Sequence, residues 1–223
     1  MESNDQNQKL IHSYLALRQA VGWIGIILPF ALMLGLCVFF NSDRILSSIS
    51  QYYYSGMRDV LVGALCSVAL FLFFYRGYDN WGKINWDKWI TNTCGFLAIG
   101  IAFFPATEKG QTDWVRSVHF ICASLFFILL ACYSYFVFTK SKPEKTGQKL
   151  IRNRIYKVCG IVMFGCLIAI FIYLKLIKTD NSKSCVVFWG EAVALIAFGI
   201  SWLTKGGAVY PDTADDKTRM NLP

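Results

Sequence analysis

Few side chains in this chain could do chemistry, and they are unevenly placed. His119 lies in WVRSVHFICASL and Glu191 in FWGEAVALIAFG, both inside long apolar runs. Arg58 and Asp59 open another such run, and Arg116 stands three residues before His119. Just ahead of Arg58 comes SISQYYYSGM, with Ser48, Ser50 and the tyrosines Tyr52, Tyr53 and Tyr54. An imidazole and a carboxyl together can relay a proton or share a metal ion. A serine hydroxyl beside an imidazole can become a nucleophile. Ionisable groups within hydrocarbon are costly and turn toward the interior of a helix bundle, so each is a site candidate.

The elements that must position these groups are membrane spans. The chain is 55% hydrophobic and 16% charged, whereas a soluble domain carries about a quarter charged residues. Its apolar residues lie in long blocks rather than short stripes. About 20 such residues in a helix cross the ~30 Å hydrocarbon layer. The expected spans are 20–40, 60–75, 89–104, 115–138, 155–177 and 185–203, with a kink at Pro29. The second and third are short, and Tyr75, Trp86 and Trp89 would extend them into the headgroup layer. The expected fold is all-α: a polytopic membrane protein with six transmembrane helices in one bundle. Residues 1–18 read as a polar N-terminal tail, 19–205 as the transmembrane domain and 206–223 as a disordered C-terminal tail. The polar start MESNDQNQKL lacks a basic n-region, so no cleaved signal peptide is expected.

Orientation comes from lysine and arginine. On the six-span reading, fifteen of the 22 basic residues fall on the side of the two termini and seven on the other. Seven of the fifteen crowd between Lys140 and Lys157. Both termini are therefore expected in the cytoplasm, and the tyrosine-rich loop outside, in a cytoplasmic (inner) membrane. The net charge of +8 then reflects topology and contact with anionic lipid heads. No folded basic domain is present to grip nucleic acid.

Depth brings the candidates together. With Asp113 and Ser184 as N-caps, His119 and Glu191 stand roughly 9 and 10 Å below the outer helix ends. Asp59 and Arg58 enter from the same face, Arg116 lies one turn above His119, and Ser50 and Tyr53 are tethered overhead. A carboxylate buried without a partner takes up a proton, whereas a nearby donor keeps it charged. Each candidate also has a plain structural role, as a helix-packing bond, an interfacial cap or an aromatic belt.

The cysteines show no CxxC spacing and read as small packing residues. Cys37 and Cys185 sit at span ends on the same expected side, which leaves a disulfide between them open.

Several stretches together, GWIGIILPF, SISQYYYSGMRDVLVGALC, FFYRGYD, IAFFP, VHFICASLFF and FWGEAVALIAFGISWLTKG, resemble a bacterial family of uncharacterised six-span membrane proteins. That family is similar in layout to the Frag/DRAM/Sfk group and its domain-of-unknown-function relatives. The shared features are the Ser and Tyr loop Ser48 to Tyr54, the Phe104-Pro105 close of span three, and His119 early in span four. The resemblance implies the six-span fold but no established activity; members of the wider group are linked to lipid remodelling and membrane trafficking. The intramembrane hydrolases of the alkaline ceramidase type use three histidines around zinc. This chain has two histidines, and His12 lies in the N-terminal tail. Only a mixed His119, Glu191 and Asp59 set could supply the usual three ligands. No cofactor is expected beyond a divalent metal on that set.

The leading expectation is an outer-side pocket that binds a lipid or small amphiphile, walled by tyrosines and floored by His119 and Glu191. The alternative is a metal-assisted or acid-base lipid hydrolase or transferase. The second alternative is a proton-coupled transporter, against which stand the almost purely apolar inner halves of spans four to six. Thr91, Asn92 and Thr93 are the exception. Membrane lipids are the expected partners; oligomeric state is left open.

Overall fold

The computed structural model describes residues 2–42, 44–75, 77, 86–106, 113–140, 147–176 and 184–211. The described residues form six α-helices: α1 Glu2–Phe40, α2 Arg58–Phe74, α3 Trp86–Phe103, α4 Asp113–Cys132, α5 Gly147–Leu176 and α6 Val186–Lys205. A 3₁₀ turn, Ile49–Tyr54, lies between α1 and α2, and a π-helical turn, Tyr133–Val137, continues α4. Among the described residues, four segments are long and apolar enough to cross a membrane: His12–Phe40, Trp114–Val137, Gly147–Leu176 and Val186–Lys205. α2 and α3, at 17 and 18 residues, fall outside that set.

α1 is longer than the sequence suggests. The segment read as a polar tail is helical from Glu2, and α1 runs through Pro29 to Phe40. Of the expected C-terminal tail, 206–211 are described and 212–223 lie outside the described residues. There α6 stops in a turn where Ala208 N–H donates to Leu203 O at 3.0 Å and Gly207 takes φ +72°. That is the left-handed C-cap that glycine favours.

Short connections place sequential helices side by side, and the series closes on itself. Each helix packs against the next from α1 to α6, and α6 packs back against α1. The α1–α6 seam needs small residues. A Cβ on Gly22 would stand 2.9 Å from Gly199 O, so the two backbones touch there, as is common between membrane helices. At one end of the ring, Ser134 Oγ bonds Ser201 Oγ at 2.8 Å and Tyr156 O at 2.9 Å, tying α4, α5 and α6 together. Trp202 is buried nearby among Phe71, Tyr75 and Phe138.

The tyrosine turn closes the other end. Ile49, Tyr52 and Met57 bury themselves against Leu28, Leu32 and Leu36 of α1, Leu61 of α2 and Phe188 of α6. The loop is thus a folded plug with its own apolar core. Burial pushes the Tyr52 hydroxyl pKa up from its ordinary value, which keeps it protonated. Cys37 and Cys185 are both free thiols, and Cys185 Sγ instead faces Ile45 O at 3.6 Å.

Candidate functional site

The site forms where the plug meets the ring. Pro105 comes just after α3, and the residue before a proline is pushed out of helical geometry. Phe104 therefore ends the helix with a carbonyl that has no later turn to bond. His119, in the second turn of α4, meets it: Nδ1 lies 2.8 Å from Phe104 O. A carbonyl only accepts, so Nδ1 carries the hydrogen. In the neutral ring Nε2 is then an acceptor, and Ser50 Oγ lies 2.9 Å away from it. The chain of bonds runs Ser50 O–H to His119 Nε2, and His119 Nδ1–H to Phe104 O. His119 is 3% exposed, so both ring nitrogens need these partners.

Glu191 holds the neighbouring residue of the turn. Ile49 N–H, at the start of the 3₁₀ turn, donates to Glu191 Oε2 at 2.6 Å. The amide can only donate and the carboxyl oxygen accepts. The loop repays α6 in kind, since Phe188 N–H at the α6 start donates to Ser47 O at 2.9 Å. Ser184 Oγ takes Val186 N–H at 3.4 Å, but the cap position itself is Cys185. Asp113 opens α4; its side chain lies outside the described residues.

Between these groups lies a cavity of about 70 Å³. His119, Glu191, Ser50 and Tyr53 reach it, and its remaining lining is apolar, from Leu28 and Leu61 to Ile101 and Phe126. One water needs about 10–15 Å³ on this scale, so there is room for a small polar head and a few adjoining carbons.

The other expected site residues stand elsewhere. Arg58 and Asp59 are exposed at the start of α2. Arg58 Nη2 donates to Tyr53 OH at 2.8 Å and its guanidinium lies 4.5 Å from the Tyr53 ring centre. It acts on the cavity wall from behind. Arg116 is exposed, 5.5 Å from the Phe120 ring centre. None of the three lines the cavity. The reason is rotational: these residues are exposed, on helix faces that point away from the ring interior. Thr91 and Thr93 bond carbonyls of their own helix, Asp87 O at 3.0 Å and Trp89 O at 2.9 Å.

His119 and Glu191 line the cavity and Asp59 does not, and among the described residues no three His, Cys, Asp or Glu side chains gather as ligands. Both ring nitrogens of His119 and one Glu191 oxygen are already bonded within the protein.

Sequence reasoning overlooked the partners that are backbone atoms, Phe104 O and Ile49 N–H. The Phe104-Pro105 step was the signal for the first; the second has no signature. No family model, curated protein or solved structure matches the chain.

Proposed function

We propose that this is a six-span membrane protein, with both ends in the cytoplasm, whose outer-side cavity takes up a lipid or small amphiphile. The carrying observation is that Ser50, His119 and Glu191 converge on one apolar hollow beneath a folded plug. The polar head would sit against Ser50 and His119, and its first carbons against Leu61, Ile101 and Phe126.

Six spans are favoured by the outer surface of the ring. α2 and α3, though short, expose Leu70, Phe74, Phe96 and Phe103 just as α1 exposes Trp23, Ile27 and Leu34. Apolar side chains at such positions suit lipid. Orientation rests on the excess of Lys and Arg on the side of the termini, and favours a cytoplasmic (inner) membrane. The three features on which the likeness to the Frag/DRAM/Sfk layout was drawn, the Ser48 to Tyr54 loop, Phe104-Pro105 and His119, meet at one point, and the likeness stays part of this proposal.

Native mass spectrometry of protein extracted with its own lipids tests the reading. The wild type is expected to retain a lipid or amphiphile that Glu191→Leu and His119→Ala lose while remaining folded. Equal retention by all three would refute it.

The Ser50–His119–Phe104 geometry favours a second reading, acyl transfer. Ser50 Oγ attacks an ester carbonyl carbon while its proton passes to His119 Nε2. The leaving alcohol takes that proton as the ester C–O bond breaks, leaving the acyl group on Ser50. Water then hydrolyses the acyl-serine by the same path. Here Phe104 O would orient the imidazole, the part a carboxylate plays in a triad. A fluorophosphonate probe should label Ser50 in the wild type and not in His119→Ala; no labelling of the wild type rules against this chemistry.

A further inference from the structure

The polar atoms that the plug-side cavity leaves for a ligand are mostly acceptors. Glu191 Oε2 takes Ile49 N–H at 2.6 Å, but Oε1 has no hydrogen-bond partner among the described residues. Ser50 gives its hydrogen to His119 Nε2 and keeps lone pairs on its oxygen. His119 has neither ring nitrogen to spare. The Tyr53 oxygen takes Arg58 Nη2–H at 2.8 Å, which leaves the hydroxyl hydrogen to give.

The charge is as one-sided. Among the described residues that line the cavity, Glu191 is the one carboxyl, and no lysine or arginine stands with it. Arg58 and Arg116 are exposed, where solvent and salt screen them. A phosphate or carboxylate head would bring a second acidic group to Glu191 with no cation to share. The apolar wall suits a cation as well. The Phe126 and Phe127 rings line the hollow with centres 5.6 Å apart, and the face of such a ring attracts an ammonium.

Granted that the cavity takes up an amphiphile, as proposed above, we infer that the head it selects is a primary ammonium, so that the ligand is a long-chain amine. The N–H groups of that head supply what Glu191 Oε1 and Ser50 Oγ accept, and its charge offsets the carboxylate. The pair is mutually stabilising, because a cation beside a carboxyl favours its ionised form. A quaternary head such as choline has no N–H to give.

The test uses the full chain in phosphatidylcholine nanodiscs at neutral pH, with empty nanodiscs as background. Saturable binding of dodecylamine, dodecanol and dodecyl phosphate is measured; they share a tail and differ in the head. Dodecylamine should bind about tenfold or more tighter than either of the others, the scale of one charge-assisted bond. Glu191→Gln keeps an acceptor for Ile49 N–H and removes the charge, so the ratio of amine to alcohol affinity should fall about tenfold. Phe126→Leu takes a ring from the wall and no polar group, and should lower the same ratio about threefold. It decides the matter if the Gln variant unfolds. Equal affinity for amine and alcohol, tighter binding of the phosphate, or a ratio that the deciding variant leaves unmoved overturns the ammonium head while the amphiphile cavity stands. No saturable binding of any of the three overturns the amphiphile reading with it.

Discussion

Glu191 and His119 do not bond each other; they hold neighbouring residues of one turn, Ile49 at 2.6 Å and Ser50 at 2.9 Å. Two helices, α4 and α6, thus clamp a single 3₁₀ turn over the cavity. The polar groups that look like a reaction pair along the sequence are also what keeps the plug seated. Any variant must therefore be read for both roles.

Glu191→Leu removes the acceptor of Ile49 N–H and leaves that amide at the cavity wall. Leaving a buried amide unsatisfied costs about 1–3 kcal/mol. Glu191→Gln keeps an acceptor oxygen and should lose less. Thermal unfolding in detergent is expected to rank the proteins wild type, Gln, Leu. Reversal of the last two would show that the carboxyl group does not carry the bond.

Ser50→Ala leaves His119 Nε2 without its donor inside a 3%-exposed ring. The expected loss is about 1–3 kcal/mol, the penalty for an unsatisfied buried acceptor. Ser50→Thr keeps the hydroxyl and should recover part of it. Unfolding midpoints in a single detergent decide the point; an Ala variant as stable as the wild type would mean the bond contributes nothing.

Pro105→Ala lets the chain after Phe104 stay helical, so a later amide can compete with His119 for the Phe104 carbonyl. The Nδ1–H tautomer should then lose population. Nitrogen-15 chemical shifts of the His119 ring report this directly. Unchanged shifts would mean that the imidazole, not the proline, holds the carbonyl.

Gly199→Ala drives a methyl into α1 and should cost about 1–3 kcal/mol, as overpacking does. Gly63, in α2, has nothing within 4 Å of where a Cβ would stand. Gly63→Ala should instead leave stability unchanged or raise it by about 0.5–1 kcal/mol. Both are measured by denaturant titration in mixed micelles. Equal behaviour of the two would deny the close seam between α1 and α6.

Much of the fold was legible along the chain. Apolar blocks marked all six helices to within a few residues at most ends, because burial in an apolar medium depends on composition summed over neighbours. α1 and α5 were the exceptions, beginning at Glu2 and Gly147, well ahead of the expected starts at 20 and 155. Their polar first turns carry no apolar block, and helicity there needs only good local propensity and continuity with the apolar turns beyond. Of the candidate site, the shared depth of His119 and Glu191 and the presence of Ser50 and Tyr53 above them were readable from helix rise. The exclusion of Asp59, Arg58 and Arg116 was not. A helix turns about 100° per residue, so a small error in its rotation moves a side chain from the interior to the outside.

Residue order was enough to establish that this chain is helical, that its helices suit a membrane and that few ionisable groups enter the apolar blocks. Those properties are local sums over side chains. What the polar groups touch came from packing in three dimensions. Glu191 reaches an amide 142 residues away and His119 a carbonyl 15 residues away. Every residue but proline offers the first kind of group and every residue the second, so side-chain identity cannot name the partner; only the closed ring of helices and its folded plug select it.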